Sequence, residues 1–532
     1  MAIDYAAVRR ELEQIKEHSD NAELAELVER LISELERDRN ANRRRLERFA
    51  ENLREIDSRL LRVENSRIFR LLQRAGVFFR IGKRPAGDLG YQAWIEREAA
   101  RTPSPASVTE ISQRFTYRPT ISIQIDRSDE PTAAGIRNQS WPHWDWHSTE
   151  ASGDYIAILN QHGTLAPNAL FHVVEALQTE KYDILYSDED QLDHAGMRCD
   201  PLFKPGWSPD LLESPLYPGS FLVVSRSAWD SAEANLARLL AEPEQSVKHI
   251  PRVLFHARSR AAAAATRERQ PRTVSGSPLA SIVVCSKTPR LLATCLRAIE
   301  RRTSYQAREI VVVKHWPGSF PANSKCVRVP YTGPFNFAAM NNRGVEAASG
   351  EIIVLLNDDI EPVSAAWLSE LIAHAQRPEI GVAGARLLYP NGTIQHAGIA
   401  VGIMDGAGHP TRGGFDAAQW PWSRYTRNVS AVTGACMAVR RSVWEELGGF
   451  DSAFPVNYND VDFCLQARRA GYRVTYEPAA VLRHHESATR PRGTTFEERE
   501  LFYERWGGMV DEGDPFYNPN LTRTREDCSL CE

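Results

Sequence analysis

The sequence of 532 residues predicts an α/β fold, made of two related domains that follow a long N-terminal helix. Three observations predict it. Strand-like and helix-like segments alternate with short connections over 278–515, which is typical of a mostly parallel sheet with helices on both faces. Strand-like segments of the first half recur in the second, and the first 75 residues follow a helical pattern.

Composition and charge exclude several classes of protein. A net charge of −5 is small for this length and does not suggest nucleic acid as a partner. No apolar run approaches the roughly 20 residues of a spanning helix, and the N-terminus lacks a signal-peptide core, so we expect a cytoplasmic protein. Eight scattered cysteines fit a reducing compartment, and the lone CxxC of Cys528 and Cys531 does not predict zinc.

The segment 1–84 is predicted to be a coiled coil that ends in a basic amphipathic helix. Alternating spacings of three and four residues separate its apolar positions, which are Leu46, Phe49, Leu53, Ile56, Leu60 and Val63. Such a helix either packs on its own domain or forms a homo-oligomer. In 66–84, arginines and lysines alternate with apolar residues, so this part either lies on the inner face of the cell membrane or docks on the next domain.

The rest of the chain divides at changes of composition and at an internal repeat. Ala151–Asn160 matches Ala348–Asn357, and IPRVLFHA from Ile250 resembles PAAVLRHH from Pro478. The predicted parts are a linker with one short helical piece, a first domain copy, a second linker, a second copy and a C-terminal tail. Their bounds are 85–114, 115–260, 261–277, 278–515 and 516–532.

An acidic run follows a buried strand of the second copy. Ligands of such sheets bind beyond the carboxyl ends of the strands, where Asn357, Asp358 and Asp359 are predicted to lie. Acidic oxygens there can bind a hard cation such as Mg²⁺ or Mn²⁺. Aspartate and asparagine are also common in helix caps and turns, so the run alone leaves both interpretations open.

Four ordered features of 280–500 carry a resemblance to a known family. They are FNFAAMNNRGVEAASGEIIVLLNDDIEP, RPEIGVAGARLLYPNGTIQHAG, SAVTGACMAVRR with GGFD, and NDVDFCLQARRAGYRV with HHESA. In these the chain resembles glycosyltransferase family 2, which has the GT-A fold. Its two copies resemble the tandem-domain bacterial members that act in polysaccharide or O-antigen biosynthesis.

The resemblance implies a role for each matching residue. Asp359 would bind a divalent metal (Mn²⁺ or Mg²⁺), with Asn357 and Asp358 beside it at the donor. Asp460 would be the catalytic base, and a single displacement would invert the anomeric carbon. His484 would be the second metal ligand, because the HxES spacing favours it over His485.

Further residues are assigned to the donor wall or to supporting roles. Gly434 and Ala435 would form the wall behind the donor sugar. Asn459 and Asp462 flank the base, although an acid in the first turn of a helix is also favoured by the helix dipole. The wall departs from the family pattern in two places. Lys314 and His315 follow the second strand, where members usually carry an acid, and Lys287 follows the first strand, where a Pro-Thr/Tyr segment with an Asp or Asn soon after is usual. These lysines are candidates for phosphate contact.

The first copy is predicted to be degenerate. His162 stands in the place of Asp359, and 127–138 is too short for the first helix and the next strand. The acids Asp188, Glu189 and Asp190 are interpreted as structural residues of a loop or hairpin. The first copy also has four neighbouring ring side chains that either stack on sugars or form a half-buried aromatic cluster. They are Trp141, Trp144, Trp146 and His147.

The resulting hypothesis is an inverting, metal-dependent glycosyltransferase of surface polysaccharide synthesis. Its donor would be a UDP- or dTDP-sugar, and its acceptor a glycan or lipid-linked glycan. The alternative is a non-catalytic scaffold that binds glycan within an assembly complex, which the altered donor wall favours.

Overall fold

Strands and helices alternate through most of the chain, as the sequence predicts. The computed structural model describes residues 89–125, 129–147, 152–160, 162–242, 245–258, 272–318, 320, 326–404, 406–414, 420–485 and 495–531. The predicted coiled coil and basic segment lie outside the described residues, as does most of the second linker. Of the helices that the structure describes, none is long and apolar enough to cross a membrane.

The first copy contains an eight-stranded mixed sheet. Its strands are β1 (Ile121–Ile125), β2 (Trp144–His147), β3 (Tyr155–Leu159), β4 (Gly163–Leu165), β5 (Ile184–Leu192), β6 (Arg198–Leu202), β7 (Phe221–Ser225) and β8 (Val247–Ala257). They lie in the order β2-β1-β3-β7-β5-β8-β4, and β6 pairs with β5. Strands β3 and β7 are apolar and buried along their whole length, which suits the centre of a covered sheet.

The second copy contains a ten-stranded sheet and a small hairpin. The strands are β9 (Ala280–Ser286), β10 (Arg308–Lys314), β11 (Val327–Pro330), β12 (Ile352–Asn357), β13 (Ile360–Pro362), β14 (Ile380–Leu388), β15 (Ile394–His396), β16 (Ala400–Val401), β17 (Ala407–Gly408), β18 (Arg427–Asn428), β19 (Cys436–Arg440) and β20 (Arg473–His484). The order is β11-β10-β9-β12-β19-β14-β20-β13, with β15 on β14, β18 on β20, and β16 paired to β17.

Helices cover these sheets with apolar faces. They are α1 (Leu89–Arg101), α2 (Pro105–Gln113), α3 (Glu130–Arg137), α4 (Ala169–Ala176), α5 (Arg226–Ser231), α6 (Leu236–Ala241), α7 (Pro289–Arg302), α8 (Phe337–Glu346), α9 (Trp367–Ala375), α10 (Arg441–Leu447), α11 (Asn459–Arg469) and α12 (Phe496–Glu512). Helix α7 shows the pattern, because Leu292, Cys295 and Ile299 are buried at spacings of three and four residues.

The two sheets share one pairing pattern. In the first, β1–β3 is parallel, β3–β7 antiparallel and β5–β8 parallel. In the second, β9–β12, β12–β19 and β14–β20 repeat these directions. The mixed α/β architecture predicted from the sequence is therefore present in both halves of the described chain.

At the start of the first copy, the stretch 127–138, predicted to be too short for both a helix and a strand, holds a helix alone. Asp129 caps the eight-residue helix α3 by accepting a hydrogen bond from the Thr132 amide at 3.0 Å. Strand β2 then pairs in parallel with β1, which places Trp144 and Trp146 half-buried against the core. Trp141 is only 1% exposed and donates to the Pro119 carbonyl, so the aromatic cluster contributes to the core.

The two copies share an apolar core. Trp420 and Trp422 of the second copy are buried in the same cluster as Phe203 and Tyr217 of the first. The indole nitrogen of Trp422 also donates to the Phe203 carbonyl at 2.7 Å. The predicted tail joins this cluster through Tyr517, Leu521 and Cys528. It therefore packs as part of the fold, because its apolar side chains cover the seam between the copies.

The region assigned to a linker with one helical piece is also folded against the first copy. It forms two helices, α1 and α2, of which α2 was not expected. Tyr91 and Trp94 of α1 are each 5% exposed and lie in the shared core. The aromatic residues of this segment explain the difference, since a solvated linker would leave them exposed.

The acidic run of the first copy lies within a strand and not in a loop. Asp188, Glu189 and Asp190 belong to β5 and are at most 2% exposed. Each has a cationic or imidazole partner. Asp188 pairs with His249 at 2.9 Å, Glu189 with Lys204 at 3.1 Å, and Asp190 with His256 at 2.6 Å. Buried carboxylates need such partners, which gives these acids a structural explanation.

Candidate active site

The turn after strand β12 brings Asp359 against His484. Strand β13 starts at Ile360 and pairs antiparallel with the end of β20, where Ile360 lies opposite His484. The backbone amide of His485 donates to the Asp359 carbonyl at 3.0 Å and fixes this register. As a result Nε2 of His484 lies 3.0 Å from Oδ1 of Asp359, and both side chains are about nine-tenths buried.

A buried amide orients the imidazole. Oε1 of Gln395 lies 2.7 Å from Nδ1 of His484. Because a carbonyl oxygen only accepts, Nδ1 donates to Gln395, and Nε2 is the ring nitrogen that faces Asp359. Gln395 was not predicted, and its signal is weak, since it lies in a strand of only three residues, Ile394–His396.

Asp358 points elsewhere than its neighbour. Its Oδ2 accepts a hydrogen bond of 2.5 Å from the hydroxyl of Ser286 at the end of β9. Burial raises the pKa of Asp358 to about 6; the Ser286 hydrogen bond opposes this, the charge of Asp359 adds to it, and Lys287 opposes it. The two acids of the run are thus separated in direction and environment.

Asp460 is held by backbone amides at the start of α11. Its Oδ2 accepts from the Gly434 amide at 2.7 Å, and its Oδ1 from the Val461 amide at 2.9 Å. The carbonyl of Ala435, the next residue, accepts from the Asn357 amide at 3.0 Å. The Gly434–Ala435 backbone therefore links Asp460 to the end of β12, which carries the acidic run.

Gly434 must be small for this contact. A Cβ atom at this position would lie 3.3 Å from the Cβ of Asp460 and 3.6 Å from Cε1 of Phe337. The first of these distances is tighter than an ordinary carbon contact, so a side chain would push the carboxylate away from its amide.

The two lysines of the donor wall lie over aromatic rings. Nζ of Lys287 stands 4.0 Å from the centre of the Phe335 ring. Nζ of Lys314 donates to the Gly318 carbonyl and lies 5.3 Å from the ring centre of Trp316. Cation–π contact of this kind keeps both ammonium groups at the carboxyl ends of β9 and β10.

An aromatic cluster completes this wall and was not predicted from the sequence. The imidazole of His315 lies 5.6 Å from the ring of Tyr331 and 5.9 Å from that of Phe335, between ring centres. Aromatic residues just after consecutive parallel strands were the available signal, because such strand ends meet at one edge.

The supporting residues have other partners. Asp462 is fully buried and accepts from Arg505 at 2.8 Å, Trp506 at 2.8 Å and Gln466 at 2.6 Å. Asn459 donates to the Phe454 carbonyl at 3.1 Å. The side chain of His485 is 42% exposed and pairs with Glu361 at 3.4 Å. These contacts explain Asp462 and Asn459 as parts of the local fold.

The residues present fit a divalent cation with few protein ligands. Within the described residues, no group of three or more His, Cys, Asp and Glu could hold a metal. The Asp359–His484 pair nevertheless has the separation of about 3 Å expected for neighbouring ligands at roughly 2.1 Å from one ion. Oδ1 of Asn357 is also buried there with no hydrogen-bond partner in the described chain. Mg²⁺ and Mn²⁺ commonly take their remaining ligands from water and phosphate.

The first copy lacks this pair. His162 is 54% exposed and lies 3.8 Å from Asp129. Gly163 pairs with Ala257, whereas the matching Ile360 pairs with His484, so Ala257 occupies the ligand position. The sequence repeat aligns His256 with His484, but the strand register is shifted by one residue, which turns a side chain to the opposite face of the sheet.

Comparison with known proteins identifies the second copy. A model of the glycosyltransferase-like family 2 matches residues 277–508. The second copy is therefore a glycosyltransferase-like family 2 domain.

Relatives of the whole chain are longer. The chain is 37% identical to the O-antigen biosynthesis protein RfbC of Myxococcus xanthus, over 84% of the chain and 44% of that protein. It is 33% identical to the uncharacterized protein y4gI of Sinorhizobium fredii, over 71% of the chain and 50% of that protein. The chain thus spans half or less of these relatives. A structure of GalNAc-T7 with UDP, GalNAc and Mn²⁺ is similar over 50% of the chain, with 13% identity and a TM-score of 0.35.

Proposed function

We propose that this chain is an inverting glycosyltransferase that moves a sugar from a nucleotide-sugar donor to a glycan acceptor in surface polysaccharide synthesis. One observation carries the proposal: the Asp359–His484 pair lies at the end of β12, and the Gly434–Ala435 backbone joins that strand end to Asp460. The family 2 domain of the second copy and the name of the Myxococcus relative support the same class of reaction.

In this proposal Asp460 takes the proton of the acceptor hydroxyl. The hydroxyl oxygen then attacks the anomeric carbon, the bond to the diphosphate breaks on the opposite face, and the nucleoside diphosphate leaves. Amide donors on both oxygens of Asp460 hold the carboxylate in place, and a carboxylate so placed can act as a general base. One displacement with one base inverts the anomeric centre.

Asp359 and His484 would hold the divalent cation, and Asn357 has a buried oxygen beside them. When bound, Mn²⁺ or Mg²⁺ offsets negative charge on the leaving diphosphate. Lys287 and Lys314 are both candidates for contact with phosphate, and the charge of Lys287 also acts at Asp358. Lys314 already donates to Gly318.

The first copy is proposed to be a scaffold without chemistry. Its counterparts of Asp359 and His484 are His162 and Ala257, and its buried acids are paired. Its core continues into the second copy through Trp420 and Trp422. In this role it would support the second copy through the shared core.

Donor hydrolysis tests the proposed function. The full chain is incubated with Mn²⁺ and a panel of UDP- and dTDP-sugars, and compared with Asp460→Asn and a control, Asp511→Asn, in which an exposed acid of α12 is changed. We expect hydrolysis of at least one donor and a loss of at least about 100-fold in Asp460→Asn alone. If no donor is hydrolysed and no nucleotide binds in a metal-dependent way, the enzyme hypothesis is refuted and the scaffold alternative is supported.

The nature of the acceptor and the place of the chain in the cell are separate proposals. A lipid-linked glycan at the inner membrane face, and a homo-oligomer, are proposals based on segment 1–84, which lies outside the described residues. Co-sedimentation of the full chain with anionic and neutral vesicles, with and without residues 66–84, tests the membrane contact. Equal binding of both chains to anionic vesicles would exclude it.

A further inference from the structure

A buried carboxylate lies on the last helix, outside the cluster described above. Glu498 is 1% exposed and stands in the first turn of α12. It completes a capping box, in which Thr495 and Glu498 each bond the backbone amide of the other. A capping role alone would explain a glutamate here, but not its burial or its remaining contacts.

The shortest hydrogen bonds of Glu498 go to another segment. Its Oε1 accepts from the backbone amides of Val456 and Asn457, both at 2.7 Å, and its Oε2 accepts from the Asn457 side chain at 2.8 Å. The bonds within the capping box are longer, at 3.3–3.4 Å. Because hydrogen bonds weaken as they lengthen, most of the interaction of this carboxylate is with the 456–457 turn.

That turn leads directly to Asp460 through a strained residue. Tyr458 has φ of +59°, in the left-handed region that a non-glycine residue adopts only when its surroundings impose it. Its ring stacks on Phe502 of α12, with ring centres 4.3 Å apart and planes inclined by 12°. Helix α12 therefore contacts this residue in two ways. Glu498 accepts hydrogen bonds from the two preceding backbone amides, and Phe502 stacks on the ring of Tyr458.

We propose that Glu498 is a positioning residue for Asp460. By binding the Val456 and Asn457 amides it fixes the turn that sets the start of α11, so that the Asp460 carboxylate stays on the Gly434 amide. The inference rests on the proposed function, in which Asp460 is the base. Glu498 itself touches neither Asp460 nor the Asp359–His484 pair in the described contacts.

Loss of this contact should affect turnover and leave donor binding intact. The pairing of β13 with β20 brings together Asp359 and His484, the proposed metal ligands, and does not involve the 456–457 turn. A displacement of a catalytic group by about 1 Å can lower the rate by about 100-fold. A purely structural role would instead lower thermal stability with no change in the turnover of the folded enzyme.

The experiment compares full-length wild type with Glu498→Ala, Glu498→Gln and the control Glu500→Gln, an exposed acid on the same helix. Donor hydrolysis with Mn²⁺ gives kcat and KM, calorimetry with UDP and dTDP in Mn²⁺ gives nucleotide affinity, and thermal unfolding gives stability. We expect kcat to fall about 100-fold in Glu498→Ala and about tenfold in Glu498→Gln, which keeps one acceptor oxygen without the charge. KM and nucleotide affinity should stay within about twofold of wild type.

The outcomes separate this inference from the function on which it rests. If Asp460→Asn is inactive while folded Glu498→Ala keeps the wild-type kcat, the positioning role is wrong and the proposed function stands. If Asp460→Asn keeps full activity, the proposed function itself fails. Should Glu498→Ala not fold, Glu498→Gln decides: an unchanged kcat, or a nucleotide affinity that falls in parallel with kcat, overturns the inference.

Discussion

Nε2 of His484 lies 3.0 Å from Oδ1 of Asp359, across the antiparallel contact of β13 and β20. The two residues come from distant parts of the chain and meet because Ile360 pairs with His484. If they are the cation ligands, removing either should remove metal-dependent binding of nucleotide.

Asp359→Ala and His484→Ala should each lower the affinity for UDP or dTDP in Mn²⁺ by about 100-fold or more, since each removes one of the two proposed metal ligands. His485→Ala is the matched control, because that side chain is 42% exposed and pairs with Glu361. Calorimetry with and without Mn²⁺ measures the effect. Equal losses in all three variants would contradict the ligand assignment.

Gln395 should affect metal affinity at the same site through its hydrogen bond to His484. Gln395→Leu removes the acceptor that holds the Nδ1 proton of His484, so we expect Mn²⁺ affinity to fall by about 10–100-fold. Gln395→Glu keeps an acceptor at that position and should retain most of the affinity. Titration of Mn²⁺ binding distinguishes the two, and identical behaviour of both variants would argue against the orienting role.

Gly434→Ala should reduce turnover more than donor binding. The added Cβ would lie 3.3 Å from that of Asp460 and would displace the carboxylate from its amide, which can cost about 10–100-fold in kcat. Gly507→Ala is the control, because its new Cβ meets nothing within 4 Å. Steady-state hydrolysis of the donor gives kcat and KM. A rise in KM alone would contradict the prediction.

Asp210 should make the joint between the copies sensitive to acid. It is 3% exposed, pairs with Arg377 at 2.6 Å and accepts from Asn428 and Thr475 of the second copy. Burial opposes ionisation, but the charges of Arg377 and Arg473 and these hydrogen bonds outweigh it and lower the pKa of Asp210.

The sign follows from the lowered pKa. The stabilisation is complete above the unfolded pKa of about 3.9 and is lost as pH falls through the lower folded value. Asp210→Asn should therefore lower the free energy of unfolding by about 3–5 kcal/mol at pH 7 and by less below pH 4. Glu213→Gln, which changes a half-exposed ion pair with Arg272, should cost at most about 1 kcal/mol. Urea unfolding at both pH values measures this, and a constant difference would refute it.

Much of the fold was readable from local pattern. The β-branched runs of β9, β10 and β12 are strands, and the apolar spacing of α7 is a helix, as predicted. Length was an incomplete guide. The stretch 127–138, judged too short for both a helix and a strand, holds the helix α3 alone, and the WDWH segment beyond it supplies the strand β2.

Segments that looked peripheral were misjudged for a related reason. The tail and the first linker contain few residues that a local pattern would assign to a core, yet Tyr91, Tyr517 and Cys528 are buried there. These residues are buried because the two copies together form one apolar surface. The sequence of the tail or of the linker alone does not show that this surface exists.

Local pattern was enough to predict the buried strands β9, β10 and β12 and the acids that follow β12, because a buried strand is marked by the size and β-branching of its own side chains. Which residues meet depends on how these elements pack. The tertiary structure placed Gln395 behind His484, Gly434 on Asp460 and Ala257 in the position that the repeat had assigned to His256. Pairing between distant strands sets these contacts, and a register shift of one residue reverses the face on which a side chain lies.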